Sequence, residues 1–197
     1  MVKRRCFLAL SIAAATIVIG GRSVMAAATP VIDDLSAACP LASNGARWEL
    51  ISDRVMGGVS RGVMWRDTVH GRTAIRLQGD VSLENNGGFI QMALDLDPAG
   101  RSVDARAWRG IEIDALGNGE IYNLHLRTTD VVRPWQSYRS RFSAGGQWQT
   151  HRLPFEDFEP HRLDAPLDPS ALRRIGIVAI GREFVADLAI GGVRFFA

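Results

Sequence analysis

From Arg47 onward, short runs of β-forming residues recur roughly every 8 to 12 residues with Gly, Pro, Asn, Asp or Ser between them, the spacing of a sandwich or barrel. The runs are Arg47–Ile51, Gly62–Arg66, Thr73–Leu77, Val81–Glu84, Phe89–Leu94, Gly110–Ala115, Ile121–Arg127, Ser137–Phe142, Trp148–Leu153, Arg174–Ile180 and Ala186–Phe195. Helix is scarce. The one helical signal is a single turn at Asp168-Pro169-Ser170-Ala171-Leu172, with an aspartate at the N-cap and a proline at the first helical position. Many short strands and almost no helix in a chain of 197 residues predict an all-β fold, a two-sheet antiparallel jelly-roll β-sandwich.

Alternation is clearest in the middle of the chain. Ile111, Ile113 and Ala115 share one face and Glu112 and Asp114 the other; after Gly117-Asn118-Gly119, Tyr122, Leu124 and Leu126 alternate with Asn123, His125 and Arg127. This pattern predicts a hairpin with one core face and one polar face. Asp157–Pro169, which holds three prolines, reads as a surface loop.

The first residues are of another kind. Lys3, Arg4 and Arg5 precede an apolar run from Cys6 to Gly20, followed by Ala26-Ala27-Ala28, which reads as a cleaved signal peptide over residues 1–28 rather than an anchor. Arg4-Arg5-Cys6-Phe7-Leu8 also fits a twin-arginine export pattern, so that Sec and twin-arginine routes both stay open and the expected location is the periplasm. Cleavage after Ala28 leaves an N-terminal arm over residues 29–46, anchored by Ile32 and Leu35, and a single domain over residues 47–197.

Removal of the leader changes the charge. Lys3, Arg4, Arg5 and Arg22 fall within it and no acidic residue does, so of 23 basic and 21 acidic residues the mature chain keeps 19 and 21. The basic pI is therefore a property of the leader, and arginines scattered among acids predict no nucleic-acid partner and no membrane span after cleavage. Cys39 is then the sole cysteine, which excludes an internal disulfide, and the absence of lysine excludes Schiff-base chemistry and a P-loop.

Two glycine-rich turns stand out within the β pattern. Asp53-Arg-Val-Met56-Gly57-Gly58-Val-Ser60 and Gly79-Asp-Val-Ser-Leu-Glu84-Asn85-Asn86-Gly87-Gly88-Phe89 place paired glycines where the backbone needs positive φ or close packing. The two strings resemble the signature of the complex I intermediate-associated protein 30 family. The resemblance continues through Trp108-Arg-Gly-Ile-Glu-Ile113, Tyr122-Asn-Leu-His-Leu-Arg127, Phe142 with Trp148, Leu153-Pro-Phe155 with Phe158, and Ile180-Gly181, covering Arg47 to Ala197. One departure is Gly117-Asn118-Gly119-Glu120, where the family has an Asp-Gly pair. The resemblance implies a galactose-binding-domain-like sandwich and a non-enzymatic, chaperone-like role in assembling a membrane complex, with a protein partner such as a subunit of that complex.

Catalytic chemistry finds little support in the residues. Gly58-Val59-Ser60-Arg61-Gly62 matches the nucleophile-elbow string, but that motif works at a strand-to-helix corner, and here strand residues follow. His70, His125, His151 and His161 lack metal-ligand spacing, and the acids of Glu156-Asp157-Phe158-Glu159 form a solvated run rather than a facing pair. No cofactor is signalled. A structural calcium ion has only the weak candidates Asp53, Glu84 and Asp187.

Binding has better candidates. His125 and Arg127 project from a polar strand face, and Arg133-Pro-Trp135-Gln136-Ser-Tyr138 follows, a set that suits a sugar or an extended peptide. Trp135 and Tyr138 read equally well as the rim of the core. Asn85 and Asn86 read either as ligand amides or as turn formers. Protein binding in assembly leads these readings, binding of a carbohydrate or other small ligand is the alternative, and a redox or cofactor carrier rests on the twin-arginine pattern alone.

Overall fold

The computed structural model describes Ala26–Ala27 and residues 30–197, so the leader otherwise lies outside the described residues. Its strands are β1 (Ala26–Ala27), β2 (Val31–Asp33), β3 (Glu49–Ser52), β4 (Arg61–Val69), β5 (Arg72–Val81), β6 (Phe89–Asp95) and β7 (Val103–Asp104). They continue with β8 (Gly110–Gly117), β9 (Ile121–Thr128), β10 (Ser137–Ser143), β11 (Gln149–Pro154), β12 (Glu159–His161), β13 (Leu172–Ile180) and β14 (Phe184–Phe196). Helical backbone among the described residues is confined to four 3₁₀ turns. One of these is the expected turn at Pro169–Ala171, where the Asp168 carboxylate accepts from the Ser170 N–H.

The strands form two sheets. The front sheet runs β3-β6-β13-β9-β10-β12, antiparallel throughout, with β7 on the start of β13 and β1 parallel to β7. The back sheet runs β11-β8-β14-β5-β4, with β2 on the far end of β14. Between them lies one apolar layer that includes Leu77, Ile90, Met92, Ile111, Ile113, Tyr122, Leu124, Leu126, Ile177 and Leu188, all fully buried. The jelly-roll sandwich expected from the strand spacing is the fold observed. Ile32 and Leu35 are buried as well, and the arm is tied to the domain by Asp33, whose carboxylate accepts from the Trp48 indole N–H at 2.7 Å and from the N–H groups of Leu35 and Ser43.

Three local expectations are corrected. First, Gly110–Ala115 and Ile121–Arg127 do not pair as a hairpin: β8 lies in the back sheet and β9 in the front one. Alternation marks a core face but not which sheet owns it, and the Ile face of β8 and the Leu face of β9 cover each other across the core. The Asn118 side chain fixes the crossing, donating to the Val185 carbonyl and accepting from the Tyr122 hydroxyl, both at 2.7 Å. Second, Val81 ends β5, and Glu84 belongs to a 3₁₀ turn over Glu84–Asn86 in which Asn85 is left-handed at φ 55°. Third, the stretch Asp157–Pro169 contains β12, which adds an edge strand to β10 and sets His161 opposite Ser137.

Candidate functional site

The two glycine-rich turns meet at one carboxylate. Asp53 is fully buried and accepts hydrogen bonds from the Ser60 N–H at 3.0 Å, the Gly88 N–H at 2.6 Å, the Phe89 N–H at 3.4 Å, and the Ser60 hydroxyl. Burial pushes this carboxyl up, but the Ser60 hydroxyl and the three N–H groups outweigh it and hold the group below the ordinary aspartate range. A Cβ on Gly58 or on Gly87 would overlap the Asp53 side chain, so both turns need glycine at these positions for close approach to the carboxylate. Ser60 is itself fully buried and also accepts from the Ser82 N–H at 3.0 Å, so its hydroxyl fastens the two turns together.

This clamp supports one end of a groove of about 670 Å³ across the outer face of the front sheet. Strand register builds the floor. Gly176 of β13, His125 of β9 and Arg139 of β10 stand in one row, and Arg174 and Arg127 stand in the next outward-facing row. A Cβ on Gly176 would come within 2.8 Å of the Gln91 amide, which lies across the floor at that point. Val55, Met56 and Asn86 to Phe89 wall one end; Pro134, Trp135, Gln136 and Arg162 wall the other.

Of the residues expected to contact ligand, His125, Arg127, Trp135, Gln136 and Asn86 line this groove, as do Met56, Gly87, Gly88 and Phe89 from the turns. Two do not. Tyr138 is fully buried in the core and its hydroxyl donates to the Pro166 carbonyl, while Asn85 is an exposed turn residue held at positive φ outside the groove. Two others are partly committed to building the wall. Arg127 donates to the carbonyls of Arg133 and Pro134, both at 3.1 Å, and Gln136 accepts from the Arg133 N–H and donates to the Arg162 carbonyl. They hold the loop that carries Trp135, which stays 48 % exposed with the Arg133 guanidinium over its ring.

The alternation rule applied to β10 and β13 could have found Arg139 and Arg174, but Arg173 lies at a register irregularity in β13, and nothing in the sequence spacing brings His161 and Arg162 to the same place. They arrive with β12. His125 is 8 % exposed, its Nε2 has no hydrogen-bond partner, and burial, helped by Arg139, His161 and Arg127, pushes its pKa down to about 3. Burial followed by the charges of Arg174 and Arg173 lowers Arg127, and burial followed by Arg162 lowers Arg139. His161 is lowered by burial, Arg139 and Arg162. The floor thus carries a neutral imidazole among cations that repel one another.

The calcium candidates do not converge on a cation. Asp53 is surrounded by hydrogen-bond donors, Asp187 is paired with Arg76 at 2.8 Å, and Glu84 is exposed. Among the described residues no group of three or more His, Cys, Asp or Glu could hold a metal ion. No described helix is long and apolar enough to cross a membrane.

The fold has known counterparts. The family 11 carbohydrate-binding module of the cellulosomal cellulase Lic26A-Cel5E of Clostridium thermocellum superposes with a TM-score of 0.65 at 14% identity, covering 87% of this chain and 96% of that one. The Clostridium thermocellum family 11 module in complex with a β-1,3-1,4-mixed-linked tetrasaccharide gives 0.65 at 14% identity, over 85% and 95% of the two chains. The family 30 module of Cel9D-Cel44B of the same organism gives 0.57 at 15% identity, over 87% and 94%. At these identities the likeness is one of fold. No curated protein matches the sequence significantly. The sequence profile of Complex I intermediate-associated protein 30 (CIA30) matches residues 41–190, most of the described chain and both glycine-rich turns, and the chain belongs to that family.

Proposed function

We propose that this chain is a non-catalytic binding protein that takes a segment of a partner protein into the front-sheet groove during assembly of a membrane complex. The observation that carries this reading is the groove's wall of exposed aliphatic side chains: Val55 is 77% and Met56 59% exposed, on a turn whose backbone is held by the Asp53 clamp. Flexible methionine and bare valine on a rigid support suit the varied side chains of a polypeptide, whereas a pyranose ring calls for flat aromatic platforms. Membership in the complex I intermediate-associated protein 30 family supports the assembly role. The leader pattern of residues 1–28 supports a periplasmic site for this work.

The test is site-specific photocrosslinking in the native host from position 55 or 56. A crosslink to a subunit of a respiratory membrane complex is the expected result, lost when the groove is blocked by Gly176→Trp. Crosslinking to no protein, with binding of mixed-linked β-glucan oligosaccharides to the purified protein, would overturn it in favour of the second reading, a glycan-binding module. That reading has its own support in the likeness to the family 11 module seen with its tetrasaccharide and in the half-exposed Trp135 at the groove wall.

A further inference from the structure

The arginines, evenly scattered along the sequence, are unevenly neutralised in the fold. On the outer face of the back sheet, Arg72, Arg76, Arg152 and Arg194 are matched by acids. Asp114 takes Arg72 at 2.5 Å and Arg194 at 2.8 Å, Glu112 takes Arg194 at 2.5 Å and Arg152 at 2.6 Å, and Arg76 bridges Asp67 and Asp187. In the groove the matching stops. Arg127, Arg139, Arg162 and Arg173 line it, and none of them has an ion pair with a carboxylate among the described residues. Among the described residues the groove's one carboxylate, Asp95, is already paired with Arg174 at 2.8 Å, and Arg174 takes Glu49 as well.

Holding the part-buried Arg127 and Arg139 beside one another and below the exposed Arg162 and Arg173 works against folding unless a ligand repays it. His125 shows the same deficit from below, since it is buried beneath the groove with an unpartnered Nε2. Four guanidinium groups without a carboxylate partner thus share one groove with the exposed side chains of Val55, Met56 and Trp135.

We infer that the groove recognises an acidic polypeptide segment, with Asp or Glu carboxylates on Arg127, Arg139, Arg162 and Arg173 and apolar side chains against Val55, Met56 and Trp135. This rests on the protein-binding reading above and names the chemistry of the segment. Guanidinium forks match carboxylates in geometry as well as charge, and the aliphatic wall selects a chain carrying apolar residues over a uniformly polar polyanion.

The experiment is fluorescence anisotropy on the mature protein with labelled peptides of about eight residues, alternating Leu with Glu, with Gln or with Lys. The Glu peptide is expected to bind roughly tenfold or more tighter than the Gln peptide, to weaken between about 20 and 200 mM salt, and to lose roughly tenfold on Arg139→Gln with Arg173→Gln. Arg152→Gln, on the opposite sheet, leaves binding unchanged. Equal affinity for the Glu and Gln peptides would overturn the acidic preference and leave the peptide groove standing. Binding of a uronate oligosaccharide or an oligonucleotide, but of no peptide, with the same arginine dependence, would overturn the peptide reading itself.

Discussion

Replacing Asp53 by Ala should be among the most damaging single changes available to this fold, and Gly87 reports why. The carboxylate is fully buried and accepts from the N–H groups of Ser60 and Gly88 and from the Ser60 hydroxyl. Alanine leaves the N–H groups of Ser60 and Gly88 unpaired in the interior, while the Ser60 hydroxyl keeps the Ser82 carbonyl. At about 1 to 3 kcal/mol for each stranded group, discounted because the loops relax together, the loss is about 3 to 5 kcal/mol. Gly87 has ordinary backbone angles, φ −74° and ψ −154°, so alanine there meets no torsional objection. Its Cβ would instead strike the Asp53 carboxylate, and Gly87→Ala should cost about 2 to 3 kcal/mol. In the Asp53→Ala background that collision is gone and the Glu84 carbonyl stands at 3.0 Å, so Gly87→Ala should then add less than about 1 kcal/mol. Urea denaturation of the two single variants and the double variant measures all three quantities. Additivity to within about 0.5 kcal/mol would refute the account, since the turns would then be held by something other than their shared carboxylate.

Other predictions follow from single contacts. The His125 imidazole gains a proton below about 6.5 when unfolded but only near 3 when folded, so the unfolded state binds more protons between those values. Stability should be flat above pH 6.5 and fall by roughly 3 kcal/mol by pH 4, and His125→Gln should remove much of that slope in denaturant titrations. His151 and His161, also lowered by burial, keep a smaller slope of the same sign. Tyr122→Phe should cost about 1 to 2 kcal/mol, because its hydroxyl donates to Asn118 and accepts from the Asp187 N–H across the two sheets; a thermal melt unchanged from the parent would refute the bracing role. Trp135→Ala, at a half-exposed site, should change stability by under about 1 kcal/mol while weakening any groove ligand, and a large loss of melting temperature would return Trp135 to the core.

The layer structure was legible because the pattern that reports it is local. Strand period, turn residues and the Asp168 cap each need only a few neighbours, and the boundaries of β6, β9 and β10 lie within about two residues of expectation. Sheet membership is not local. Glu112 and Asn123 both alternate with apolar residues, yet they face outward on opposite sides of the molecule, and only pairing with β14 and β13 decides which. The site divides in the same way. His125, Arg127 and Trp135 were readable from one strand and the loop after it, whereas Arg162 and His161 join them through a three-residue edge strand too short and too proline-bound to register. Tyr138 is on β10 in register with the buried Leu126, so its ring turns inward, whereas Trp135 sits in the loop before that strand.

The pairing order also sets a schedule. β13 is the central strand of the front sheet, bonded to β6 and β9, and β14 is the central strand of the back sheet, bonded to β8 and β5. These are the last two strands of the domain in chain order. Until they are made, β5, β6, β8 and β9 have no partner on the side each will present to the sheet centre, and closing either sheet means joining segments about a hundred residues apart, such as Arg76 with Ala189. Folding should therefore be slow, with neither sheet closed before β13 and β14 are available. For as long as that takes, the unpaired edges of β5, β6, β8 and β9 are open to other chains.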